Sequence, residues 1–124
     1  MNHVQQAHSA YAAAGPARSP RGVEFDAFAR VTRKMSEAAR NGAAGFPQLA
    51  AALHENRRLW SVLAASVADS DNALPPSLRA RILYLSQFTQ TETTRILAGG
   101  GDAAALIDIN TAIMQGLRTG NAAA

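Results

Sequence analysis

The chain predicts an all-α fold, a compact bundle of four long helices with a short helix at the N-terminus. Three observations lead there. Every apolar pattern longer than a few residues repeats at spacings of three and four, the signature of one helix face. No stretch alternates apolar and polar residues as a half-buried strand must. Gly and Pro punctuate the chain at intervals that suit helices joined by short links. A length of 124 residues fits one domain with one core, placed here at 1–118 with a flexible tail over 119–124. Hydrophobic residues make up 48% of the chain. Much of that fraction is alanine, so the core is thinner than the percentage suggests.

Each element has its own justification. Residues 4–14 are Ala-rich and suit a short helix that Gly15-Pro16 stops. Ser19 is placed to cap a second helix with Pro20 at its first position. Phe25, Phe28, Thr32, Met35 and Ala39 form the apolar stripe of that helix, and Asn41-Gly42 ends it in the left-handed manner. Pro47 lies in the first turn of a third helix reaching about Val67. Its stripe is Leu49, Ala52, Leu53, Asn56, Leu59, Trp60, Leu63 and Val67, with Glu55, Arg57 and Arg58 opposite. Trp60 is therefore expected as a core anchor. Asp69-Ser70-Asp71-Asn72 is turn chemistry.

Pro75-Pro76 opens a fourth helix to about Leu97, which Gly99-Gly100-Gly101 breaks. Along it, Leu78, Ile82 and Leu85 face the core, while Tyr84 and Phe88 are displaced onto a second apolar face. The run from Ser86 to Thr94 is polar and a poor helix former, and it is expected as a solvated face. Asp102 caps a fifth helix reaching Arg118, in which Leu106, Ile109, Ile113 and Leu117 make one stripe that Ile107 and Met114 widen. That width suits either full burial or half of a groove for a partner helix.

The chemistry that can be excluded is extensive. There is no cysteine, hence no disulfide and no thiolate metal site, which fits a reducing cytoplasm. No apolar run approaches the roughly 20 residues that span a bilayer. Met1-Asn2-His3-Val4-Gln5-Gln6 lacks the basic and apolar regions of a secretory signal. His54-Glu55 begins like a zincin helix, but Arg58 stands where the second histidine must fall. His3 and His8 share no helix face. Asp102 opposes phosphate binding at the glycine run. Nothing pairs a nucleophile with a base, so no catalytic residue, metal or cofactor is assigned and no enzymatic activity is expected.

The net charge is +3 with a pI near 10.2. Residues 1–60 carry +4 and the remainder −1. Such a basic half attracts RNA or an acidic protein. Its charges are nevertheless interspersed with Glu24, Asp26, Glu37 and Glu55, unlike the dense patch of a dedicated nucleic-acid binder.

Two phrases, Leu53-His54-Glu55-Asn56-Arg57-Arg58-Leu59-Trp60 and Ser19-Pro20-Arg21-Gly22-Val23-Glu24-Phe25-Asp26-Ala27-Phe28-Ala29-Arg30-Val31-Thr32, together resemble the FlaF family. The Leu74–Leu85 segment is similar to the start of that family's next helix, and Leu106–Leu117 to its last. The resemblance covers about residues 1–118 in consistent order. It implies a regulator of flagellum biogenesis that controls flagellin synthesis and secretion together with a second small regulator, FlbT. It also implies direct binding of flagellin as a chaperone. On that reading Tyr84, Phe88, Ile107 and Met114 are the candidate partner-binding residues. The alternative is a regulator that touches flagellin mRNA. Arg21, Arg30, Arg33 and Lys34, with Arg18 and Arg40, would then supply the phosphate contacts.

Overall fold

The computed structural model describes His3 and residues 21–123, with side chains described for His3 and 25–115. The expected helix over 4–14, the Ser19 cap and Arg18 lie outside the described residues, as do the side chains of Arg21 and Leu117. Four α-helices account for most of the described chain, which contains no strand. They are α1 (Arg21–Arg40), α2 (Phe46–Ala68), α3 (Pro76–Leu97) and α4 (Ala104–Ala123), with a 3-10 turn at Gly42–Gly45. α1 packs on both α2 and α4, and α2 packs on α3. α3 and α4 meet chiefly through side chains in the core rather than backbone to backbone.

The links follow from local chemistry. Gly42 takes a φ of 55° after α1. Gly45 closes the 3-10 turn against α1, where an added Cβ would lie 2.3 Å from the Ala38 carbonyl oxygen. Between α2 and α3, Asp69 Oδ1 accepts the Asp71 amide at 2.9 Å and Asn72 Oδ1 accepts the Leu74 amide at 2.9 Å. Arg79 reaches back to donate to the Val67 and Asp69 carbonyls at 2.7 and 3.1 Å, satisfying the last turn of α2. α3 ends in a Schellman pair: the Gly100 amide bonds the Arg95 carbonyl and the Gly99 amide bonds the Ile96 carbonyl, both at 2.9 Å. Gly99 has a φ of 90°, the conformation this cap requires. Asp102 Oδ1 accepts the Ala104 amide at 3.0 Å, the expected N-cap of α4. That helix runs on to Ala123, past the predicted end at Arg118.

Three apolar clusters stack along the bundle. One joins Phe28, Trp60, Leu85, Ile109, Ala112 and Ile113, so all four helices meet in it. A second, again from every helix, gathers Val31, Met35, Ala52, Leu53, Ile96, Ala103 and Leu106. The third belongs to the α2–α3 end alone, with Val67, Leu74, Leu78 and Ile82. Trp60 is fully buried at the centre. Its ring meets Phe28 edge to face at 5.8 Å, its Nε1 donates to Asn110 Oδ1 at 3.0 Å, and its carbonyl accepts from Ser86 Oγ at 3.4 Å. One residue of α2 thus contacts α1, α3 and α4.

Three expectations are corrected. On α1, Ala39 is exposed and Ala38 is buried beside Val31, because the core face follows the three-residue step from Met35. Arg57 does not stand on a solvated face of α2. Its guanidinium donates to the Gln90 carbonyl at 3.0 Å and to Thr94 Oγ1 at 2.7 Å, clasping α3. Gln90 Nε2 returns a bond to the Arg57 carbonyl at 3.3 Å. The polar run of α3 is not a solvated face either, for Ser86, Thr89 and Thr93 are buried. Thr93 Oγ1 donates to the Thr89 carbonyl one turn back at 2.7 Å, which lets a hydroxyl enter the core without a partner from another helix.

Candidate partner-binding surface

The four candidate contact residues differ in how far the fold leaves them available. Tyr84 is 50% exposed on the outer face of α3, next to Leu83 at 39%. Phe88, one turn on, is half-buried and packs against both large clusters. On α4, Met114 packs against the first cluster and Ile107 against the second, each half-buried. Leu106, Ile109 and Ile113 are buried outright, so the broad apolar surface of α4 is mostly core. Phe88, Ile107 and Met114 therefore line the margin of the core, and Tyr84 with Leu83 stands outside it.

The aromatic pair on α3 is not bare. His3 hydrogen-bonds through Nε2 with the Tyr84 hydroxyl at 2.7 Å and stacks on both rings. The imidazole centroid lies 4.1 Å from that of Phe88 and 5.3 Å from that of Tyr84, with interplanar angles of 22° and 4°. This contact bridges 81 residues of sequence. Nothing in the sequence signals this contact, since no periodic pattern links His3 to α3.

The basic candidates lie elsewhere, on α1. Arg30, Arg33 and Lys34 are all exposed. Two of them converge on one carboxylate of α2. Arg30 Nη2 and Lys34 Nζ each lie 3.1 Å from Glu55, at Oε2 and Oε1 respectively. The hydrogen bond from Lys34, with the Arg30 guanidinium behind it, holds the Glu55 carboxyl below its ordinary value against the opposing effect of partial burial. An open cleft of about 390 Å³ adjoins this triad, lined by Lys34, Glu37, Asn41, Gln48, Glu55 and small residues of both helices. A phosphate entering it meets Glu37 and Glu55 as well as Lys34.

Beneath the surface lies a buried polar chain that the sequence did not disclose. Asn110 Nδ2 donates to Asn56 Oδ1 at 2.7 Å while Asn110 Oδ1 accepts from Trp60, so indole, Asn110 and Asn56 form one line through α2 and α4. The indole N–H only donates, which fixes the orientation of the Asn110 amide. Among the described residues, no three His, Cys, Asp or Glu side chains gather as a metal site needs, and no helix is long and apolar enough to cross a membrane.

A helical core with an exposed aromatic on one helix defines a helical-bundle protein. A family model described as flagellar protein FlaF matches residues 7–117 of the chain. The chain belongs to the FlaF family and is a flagellar protein. No curated protein and no solved structure matches it.

Proposed function

We propose that this flagellar protein acts in the cytoplasm as a non-catalytic factor that controls flagellin synthesis and secretion by binding flagellin as a chaperone. The observation that carries this reading is the apolar face of α3: Leu83 and Tyr84 stand exposed beside Phe88, outside a core already closed by four helices. Flagellin termini are disordered before polymerisation and fold as amphipathic helices on contact. An exposed aromatic anchor beside half-buried apolar residues is the kind of surface such a helix uses. Ile107 and Met114 lie half-buried at the core margin on α4. FlbT is the expected second regulator.

The rival reading, contact with flagellin mRNA through Arg21, Arg30, Arg33 and Lys34, draws less support, because Arg30 and Lys34 already share Glu55. Titration of purified protein with monomeric flagellin and with flagellin mRNA separates the two. The chaperone reading expects flagellin binding with modest salt dependence. RNA binding loses affinity steeply as salt rises. Tight mRNA binding without flagellin binding would replace the first reading with the second.

A further inference from the structure

Tyr84 and Phe88 already hold an aromatic ligand from the same chain. The imidazole of His3 lies nearly parallel to both rings and hydrogen-bonds the Tyr84 hydroxyl, the tip of an aromatic that stays 50% exposed. An aromatic ring on one face and a polar atom at the Tyr hydroxyl are what an aromatic or amide-bearing side chain of an incoming helix would supply. We propose that His3 is an intramolecular occupant of the docking face, covering Tyr84 and Phe88 in the free chain and leaving when a partner's amphipathic helix takes its place. The inference rests on the reading that this face receives flagellin.

Three features make the contact exchangeable rather than part of the core. It is made at the surface, where water competes for the hydrogen bond. It is made between side chains alone, so releasing it breaks no backbone hydrogen bond of α3. The buried side of Phe88 stays anchored to both apolar clusters whether or not His3 is present, so the face persists when uncovered. A face that is uncovered for a tenth of the time binds its partner about tenfold more weakly than one always open. His3 therefore sets a threshold on partner affinity without touching the partner.

Two measurements on the full chain test this. In proton NMR, the His3 ring protons, assigned by their absence in His3→Ala, should lie upfield in the free protein through the ring currents of Phe88 and Tyr84. Saturating monomeric flagellin should return them to unstacked positions, and His3→Ala should bind flagellin about three- to tenfold more tightly than the parent. Tyr84→Phe, which keeps the ring and removes the hydrogen bond, should move His3 part of the way. Unstacked His3 protons in the free protein would overturn the proposal whatever flagellin does. His3 protons that stay upfield in the flagellin complex, or a His3→Ala affinity equal to or weaker than the parent, would overturn the exchange while leaving flagellin binding intact. Upfield His3 protons with no flagellin binding by either protein would instead sink the flagellin reading, and with it the competition.

Discussion

Phe28 with Trp60, and Tyr84 with Phe88, are both aromatic groupings on amphipathic helices, and the fold treats them in opposite ways. Phe28 and Trp60 meet edge to face with nothing exposed, and the indole N–H is spent on Asn110. Tyr84 keeps half its surface in water, its hydroxyl hydrogen-bonds His3, and Leu83 beside it is also exposed. The difference originates in phase along each helix. Trp60 continues the Leu53 and Val67 face of α2, which points between three neighbours. Tyr84 lies off the Leu78, Ile82 and Leu85 face of α3, on the side no described helix covers. One grouping holds the bundle together, and the other stands at its surface.

The largest expected effect belongs to the buried grouping. Trp60→Ala should cost about 3–5 kcal/mol in urea unfolding, since it opens a cavity facing three helices and strands Asn110. A loss under about 1 kcal/mol would place Trp60 outside the core. Asn110→Ala should cost about 1–3 kcal/mol, because the Trp60 N–H and the Asn56 carbonyl both lose their partner inside the bundle. Asn110→Asp keeps an acceptor for the indole but withdraws the donor to Asn56 and buries a charge, so it should be no better than alanine.

Much of this division was legible in the sequence. The α2 stripe, the opening of α3 at its prolines, the Asp102 cap and the glycine stop all rest on local rules that survive folding unchanged. Trp60 was legible as core for the same reason. What escaped was set by tertiary contact. Asn56 lies on the apolar stripe, but nothing pairs it with Asn110, 54 residues away. Thr93 read as solvated because hydropathy registers its hydroxyl and not its bond to the preceding turn, and Ser86 because its bond to the Trp60 carbonyl crosses to another helix. Arg57 read as surface because its charge masks a stem that crosses to α3. His3 carries no periodicity at all, so its place on the candidate site appears only once the chain is folded.

The basic face of α1 gives a smaller effect. The Glu55 carboxyl is held below its ordinary value, so its pairing with Lys34 and Arg30 stabilises the fold above the unfolded-state pKa and is lost as pH falls through the folded one. Lys34→Met should therefore lower stability slightly at neutral pH, by less than about 1 kcal/mol as exposed pairs do. The difference from the parent should vanish in acid, once the pH has fallen below the lowered folded-state pKa of Glu55. Equal stability at all pH values would mean the pair contributes nothing. Replacing Arg30, Arg33 and Lys34 together by alanine should leave flagellin affinity within about threefold, since the apolar face lies on α3.

The contrast between the two aromatic groupings is tested most directly by the double substitution Leu83→Ala, Tyr84→Ala, with thermal melting and flagellin titration carried out on the same preparation. Both side chains are substantially exposed, so the melting temperature should stay within a few degrees of the parent. Affinity for monomeric flagellin should fall at least about tenfold, the loss of roughly 1.4 kcal/mol expected of a single aromatic anchor. Unchanged affinity in a folded double variant would contradict the assignment of this face to the partner, and a collapse in melting temperature would contradict its separation from the core.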